Sequence, residues 1–158
     1  MQEPNQYGVP PPALNTRIHC DDLMSGRDET YPNGSDWLRV NAKRFYFTDQ
    51  QILDAGVKEF PPDDINHYCG VYFLIQHGEI VYVGQSLTIA RRISEHLHKP
   101  DLVSWIETPR WCREYIEAYY INRMLPELNV KIPGLGRYTA LAEQFEAEAA
   151  VPLAYLKD

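Results

Sequence analysis

Nowhere does the 158-residue chain hold the ~20 consecutive apolar residues that a membrane helix needs. Its opening stretch, Met1 to Asn15, is polar and Pro-rich rather than basic and then apolar. These absences predict a soluble, unexported protein with no membrane partner. Cysteine is scarce as well: Cys20, Cys69 and Cys112 are odd in number and scattered. That excludes a disulfide-dense scaffold and lacks the close pairing of a zinc site, so a reducing, cytoplasmic compartment is expected. Positive charge is also in deficit, with 15 Lys and Arg against 22 Asp and Glu and a formal net charge of −7. A protein that holds nucleic acid by bulk electrostatics alone is thereby disfavoured. The length rules out a large multidomain enzyme, and neither an internal repeat nor a long low-complexity segment is present.

What is present is an ordinary globular composition, 44% hydrophobic and 23% charged, enriched in aromatics with 11 Tyr. The charge is uneven along the chain. Residues 1–67 carry 6 basic and 11 acidic groups, residues 68–131 carry 7 and 7, and residues 132–158 carry 2 and 4. An anionic partner is therefore expected to dock on the middle segment. The first 35 residues, with Pro10-Pro11-Pro12 and Pro32-Asn33-Gly34, show no sustained period and read as a poorly ordered arm or an irregular packing segment. Trp37 to Phe47 is aromatic-rich and reads as a strand packing on the core. With Arg39, Lys43 and Arg44 among its rings, it is also a candidate contact patch. Thr48 to Gln51, followed by Ile52, Leu53 and Gly56, has the form of a capping box, a short helix and a glycine stop. Phe60-Pro61-Pro62 breaks the chain, and a boundary is placed near residue 67. Three parts follow: an N-terminal extension (1–67), a core (68–131) and a C-terminal extension (132–158).

From Cys69 two runs of β-branched and aromatic residues flank a Gly-containing turn, a hairpin pattern apolar on both faces. A three-residue loop at Gln76-His77-Gly78 makes opposed residue numbers sum to about 154, by the constant sum that antiparallel pairing imposes. Tyr72 is then expected opposite Tyr82, Phe73 opposite Val81 and Val71 opposite Val83. A two-residue loop instead splits the tyrosines between faces. Leu87 and Thr88 open a helix with Ile89, Ile93 and Leu97 as its buried stripe, ended by Lys99-Pro100-Asp101. Leu102 to Glu107 is a third strand. Thr108 as N-cap and Pro109 at the first helical position start a helix to about Met124, and Thr139 to Ala150 is a short acidic helix.

Several side chains on these elements can carry chemistry, though each has an ordinary explanation. Tyr72 and Tyr82 are also good strand residues. Arg92 and His96 share one helix face at i, i+4, as solvated charges often do. Glu117 lies four residues after Arg113, where a surface ion pair forms, and Asn129 follows Pro126 as a turn residue. Their order is more specific than any one of them. Gly70-Val71-Tyr72, then Val81-Tyr82-Val83-Gly84, then Arg92, His96, Glu117, Pro126 and Asn129 resembles the GIY-YIG nuclease superfamily across residues 68–131. Val replaces Ile in both tripeptides, and Gln85 stands where some members have Lys.

The resemblance implies an α/β (α+β) domain, a small three-stranded, largely antiparallel sheet flanked by helices, with N- and C-terminal extensions. It implies an endonuclease that hydrolyses DNA phosphodiester bonds with one Mg²⁺ or Mn²⁺ per active site, nicking or structure-selective. DNA is then the partner, RNA staying open, and a homodimer or a protein partner is possible. By the same resemblance Glu117 is the metal ligand, a hard carboxylate oxygen suited to such an ion. Tyr72 is favoured as the base for the attacking water with Tyr82 as its partner, roles that can be exchanged. Arg92 holds a phosphate oxygen and His96 bonds the phosphate or assists proton transfer. Asn129 orders the site, and Gly84, Gln85, Ser86 and Arg91 are substrate-binding candidates. The alternative is a GIY-YIG-derived module that binds nucleic acid or protein without cleaving, a reading the net charge keeps open.

Overall fold

The computed structural model describes residues 13–15, 41–59, 69–96, 99–133 and 139–150. The boundary expected near residue 67, Leu97 of the expected stripe and most of the N-terminal arm lie outside them. A capping box at Thr48 starts α1 (Asp49–Asp54): Gln51 N donates to Thr48 Oγ1 at 3.1 Å, and Thr48 N donates to Gln51 Oε1 at 2.9 Å. Then come β1 (Gly70–Gln76), β2 (Glu79–Ser86), α2 (Ile89–Ser94) and β3 (Leu102–Glu107). A single 3₁₀ turn (Arg110–Cys112) leads into α3 (Arg113–Met124), and α4 (Thr139–Ala150) follows. The fold is α+β, one antiparallel sheet in the order β2-β1-β3 with flanking helices.

The hairpin departs from the expected register in an instructive way. His77 (φ 53°) and Gly78 (φ 76°) both take positive φ, which makes a two-residue turn of the primed kind that matches strand twist. Alone, that turn would set Tyr72 opposite Val83. A bulge at Val81 adds one residue to β2, so Ile75 pairs with Ile80 but Leu74 pairs with Tyr82 and Tyr72 with Gly84. Tyr72 and Tyr82 therefore still share a face, two pairs apart along the ladder rather than directly opposed.

Both faces are covered, as the apolar runs require. Val71, Phe73, Val83 and Ile106 face α3, whose Tyr115, Ile116, Tyr119 and Tyr120 pack with Phe45, Ile52 and Phe145. Tyr72, Leu74, Val103 and Trp105 form the opposite core under Ile89, with Ile93, Tyr82 and Leu128 at its margin. Residues 41–45 are helical rather than a strand. They are joined to α3 through the buried Tyr120, whose hydroxyl donates to Phe45 O at 2.6 Å and accepts from Phe47 N at 2.9 Å. α2 ends at Ser94, short of the expected proline stop, and α3 is preceded by the 3₁₀ turn with Pro109 as its N-cap residue. Both sheet edges are closed. Leu14 and Val57 bridge to β3 at Ile106 and Val103, so at 13–15 the expected arm is packed structure, with Ala13 fully buried. On the β2 edge, Leu128 N donates to Val81 O at 2.9 Å.

Candidate active site

β1 and β2 present Tyr72 and Tyr82 on one face; α2 ends at Ser94, so His96 follows the helix rather than sharing its face with Arg92, and the chain leaving α2 brings it onto the tyrosines. Tyr72 Oη and His96 Nε2 are 2.7 Å apart. The His96 ring meets Tyr82 edge-on at a centroid distance of 4.7 Å, and the two tyrosine rings lie 6.0 Å apart. Tyr72 is 1% exposed. Burial, reinforced by Tyr82, pushes its phenol pKa well above the ordinary value, while Arg92 acts in the opposite direction. The Tyr72 hydroxyl stays protonated at neutral pH, and its hydrogen bond with Nε2 orients the His96 ring.

The bulge matters here because it places Gly84 opposite Tyr72. A Cβ on Gly84 would lie 2.5 Å from both Cζ and Oη of Tyr72 and 2.8 Å from the Tyr82 ring. Only glycine leaves room for the buried phenol in its present position, so the spacing of the two tripeptides and the position of this hydroxyl have one cause.

Two surface cavities meet at Tyr82. One, about 750 Å³, is lined by Tyr82, Glu117, Ile121 and the segment Leu128 to Pro133. The other, about 440 Å³, is lined by Tyr82, Arg92, Glu95, His96, Glu127, Leu128 and Val130. Glu117 is on α3, beneath the opposite face of the sheet, and lines the same cavity as Tyr82. Its carboxyl is pushed up to about 7, chiefly by burial and further by Glu114, with Arg113 opposing. No hydrogen bond or ion pair engages it among the described residues. A half-buried carboxylate that no hydrogen bond or ion pair engages among the described residues is a fitting oxygen ligand for a hard divalent cation, whose remaining positions water and phosphate would fill. Among the described residues no group of three or more His, Cys, Asp or Glu converges on a metal position.

The structure thus gathers Tyr72, Tyr82, Arg92, His96 and Glu117 around one tyrosine. Asn129 has a different station. Its Oδ1 accepts from Val83 N and its Nδ2 donates to Val83 O, both at 2.9 Å, so the carboxamide acts as one residue of an added strand on the β2 edge. That contact fixes the residue next to Tyr82. None of Gly84, Gln85, Ser86 and Arg91 lines either cavity. Gln85 points to the α3 face, where Arg113 Nε donates to its Oε1. Ser86 Oγ accepts from Thr88 N at 2.9 Å, and Arg91 Nε lies 3.2 Å from Glu95 on an exposed surface.

Three charged lining residues escaped the sequence reading: Glu95, Glu127 and Lys131. The i, i+3 and i, i+4 spacing of Glu95 from Arg92 and Arg91 was a legible sign of the first. The other two depend on how the chain folds back after Pro126. No helix among the described residues is long and apolar enough to cross a membrane. Comparison of the chain with family models, curated proteins and solved structures finds no match.

Proposed function

We propose that this chain is a metal-dependent endonuclease of the GIY-YIG type that hydrolyses DNA phosphodiester bonds, one strand at a time. The observation that supports this most is the convergence on Tyr82, which shares one cavity with Glu117 and the other with Arg92 and His96. Those are the side chains that hydrolysis of a phosphodiester needs: a metal-holding carboxylate, a forked cation for a non-bridging oxygen, and phenol and imidazole groups for the attacking water.

In this reading Glu117 would hold Mg²⁺ or Mn²⁺, which when bound supplies Lewis-acid stabilisation of the phosphate and leaving oxygen. Tyr82 faces both cavities and orients the attacking water. Tyr72 is sealed beneath it, protonated and bonded to His96, so its part is to fix the imidazole. This assignment exchanges the tyrosine roles favoured from sequence, because burial opposes the phenolate that Tyr72 would need as a base. Arg92 binds a phosphate oxygen. It now lies 3.7 Å from Glu95, an exposed pair of little energetic worth that a phosphate can displace. Asn129 holds the β2 edge and thereby Tyr82.

Incubation of the full chain with supercoiled plasmid in Mg²⁺, Mn²⁺ or EDTA at low salt tests the reading. The expected product is nicked circle, formed only with metal. A folded protein that binds DNA and leaves both plasmid and branched DNA uncut is instead the non-cleaving binding module.

A further inference from the structure

The segment after Asn129 has an unusual surface. Val130 is 96% exposed and Ile132 54%, and Lys131 between them is also exposed. Large apolar side chains on a frayed loop are unremarkable, but this segment is tied down at both ends. Asn129 is clamped to both backbone groups of Val83, and Pro133 O accepts a hydrogen bond from Asn122 Nδ2 of α3 at 2.7 Å. The three residues between are held out over the cavity that contains Glu117 and Tyr82.

Among the described residues Lys131 is the only cation in the walls of that cavity. It makes no ion pair or hydrogen bond among the described residues, and it is not among the groups that perturb Glu117. Among these residues its ammonium is uncommitted. The neighbouring cavity has its own cation, Arg92, and Tyr82, Leu128 and Val130 belong to both walls.

We infer that Val130, Lys131 and Ile132 form a fixed rail for a polynucleotide strand, Lys131 pairing with a phosphate that flanks the one held by Arg92. The strand crosses Tyr82 from one cavity to the other. Val130 and Ile132 pack against its sugars and bases, contacts that are indifferent to sequence. A chain of net charge −7 can hold an anionic polymer this way because two local cations sit on either side of one tyrosine, where bulk attraction is lacking. This inference rests on the nuclease reading and adds where the substrate strand runs.

The test is the salt dependence of binding of a fluorescein-labelled single-stranded DNA oligonucleotide in EDTA, together with plasmid nicking kinetics in Mg²⁺. Lys131→Ala should lower the slope of log K against log salt by about 0.7, the release expected for one lost phosphate contact on a single strand. At 0.1 M salt that slope corresponds to a loss of roughly 5-fold in affinity, seen in nicking as a raised KM with kcat kept. Lys131→Arg should restore the slope. The Val130→Ser, Ile132→Ser double variant should weaken binding while leaving the slope alone. If wild type binds and nicks but Lys131→Ala matches it in slope and KM, the rail is wrong and the nuclease reading stands. If wild type neither binds the oligonucleotide nor nicks plasmid, both are overturned.

Discussion

Replacing Glu117 by Gln should make the protein more stable at alkaline pH. Burial opposes the ionised carboxylate, so the folded-state pKa of about 7 lies above the ordinary 4.5. The stability that comes with the protonated form is complete below about pH 4.5 and is lost as pH rises through 7, because the unfolded chain releases the proton more readily. The full displacement is worth about 3 kcal/mol at 1.4 kcal/mol per tenfold change, and about 2 kcal/mol for a side chain that water still reaches. Gln has the same shape and no charge to desolvate. At pH 8.5 in EDTA, Glu117→Gln should therefore exceed wild type by about 2 kcal/mol, or roughly 4–8 °C in Tm for a chain of this length. At pH 4.5 the two should melt together. Mg²⁺ should raise the Tm of wild type alone, since only its carboxylate gains a partner. Thermal melts followed by circular dichroism from pH 4.5 to 8.5 read all three effects. A variant that melts below wild type at pH 8.5, or a difference that does not change with pH, would refute the reasoning.

Other perturbations act through separate contacts. Gly84→Ala brings a methyl group within 2.5 Å of the Tyr72 phenol, and should cost about 1–3 kcal/mol in urea unfolding and most of the nicking activity. Tyr120→Phe strips the buried Phe45 carbonyl and Phe47 amide of their partner, costing about 1–3 kcal/mol by the same measurement while sparing the nicking rate of folded protein. Glu95→Gln removes the charge shared by Arg91 and Arg92 at 3.2 and 3.7 Å. It should tighten DNA binding roughly 2- to 5-fold at low salt, a gain that disappears in 0.5 M salt, as measured by fluorescence anisotropy.

The elements most legible in the sequence are those specified locally. The Thr48 capping box, the hairpin with a positive-φ glycine, the third strand and the stop at Met124 each depend on a few neighbouring residues, and each is present. The register was not legible, because a turn and a bulge contribute one residue apiece and only their combination sets the pairing. Tyr72 and Tyr82 share a face for a reason other than the one their numbering suggested. The 41–45 segment, Asn-Ala-Lys-Arg-Phe, holds three good helix formers and is helical, with Phe45 in the core; the strand reading of residues 37–47 followed the aromatics on either side of it. Among the site residues, Tyr72, Tyr82, Arg92, His96 and Glu117 share an order in the chain that survives into space. Gln85 failed the parity of its strand: odd-numbered positions on this part of β2 face α3, so it meets Arg113 and not the tyrosines. Lys131 was invisible, since nothing local says that the chain after Pro126 doubles back along the β2 edge.

The most direct test pairs cleavage with binding in wild type and Glu117→Gln. Wild type with Mg²⁺ is expected to convert supercoiled plasmid to nicked circle, while Glu117→Gln binds the same DNA within about 3-fold of wild type and leaves it uncut. A Glu117→Gln variant that nicks at the wild-type rate, or nicking by wild type that persists in EDTA, would contradict the assignment of this site.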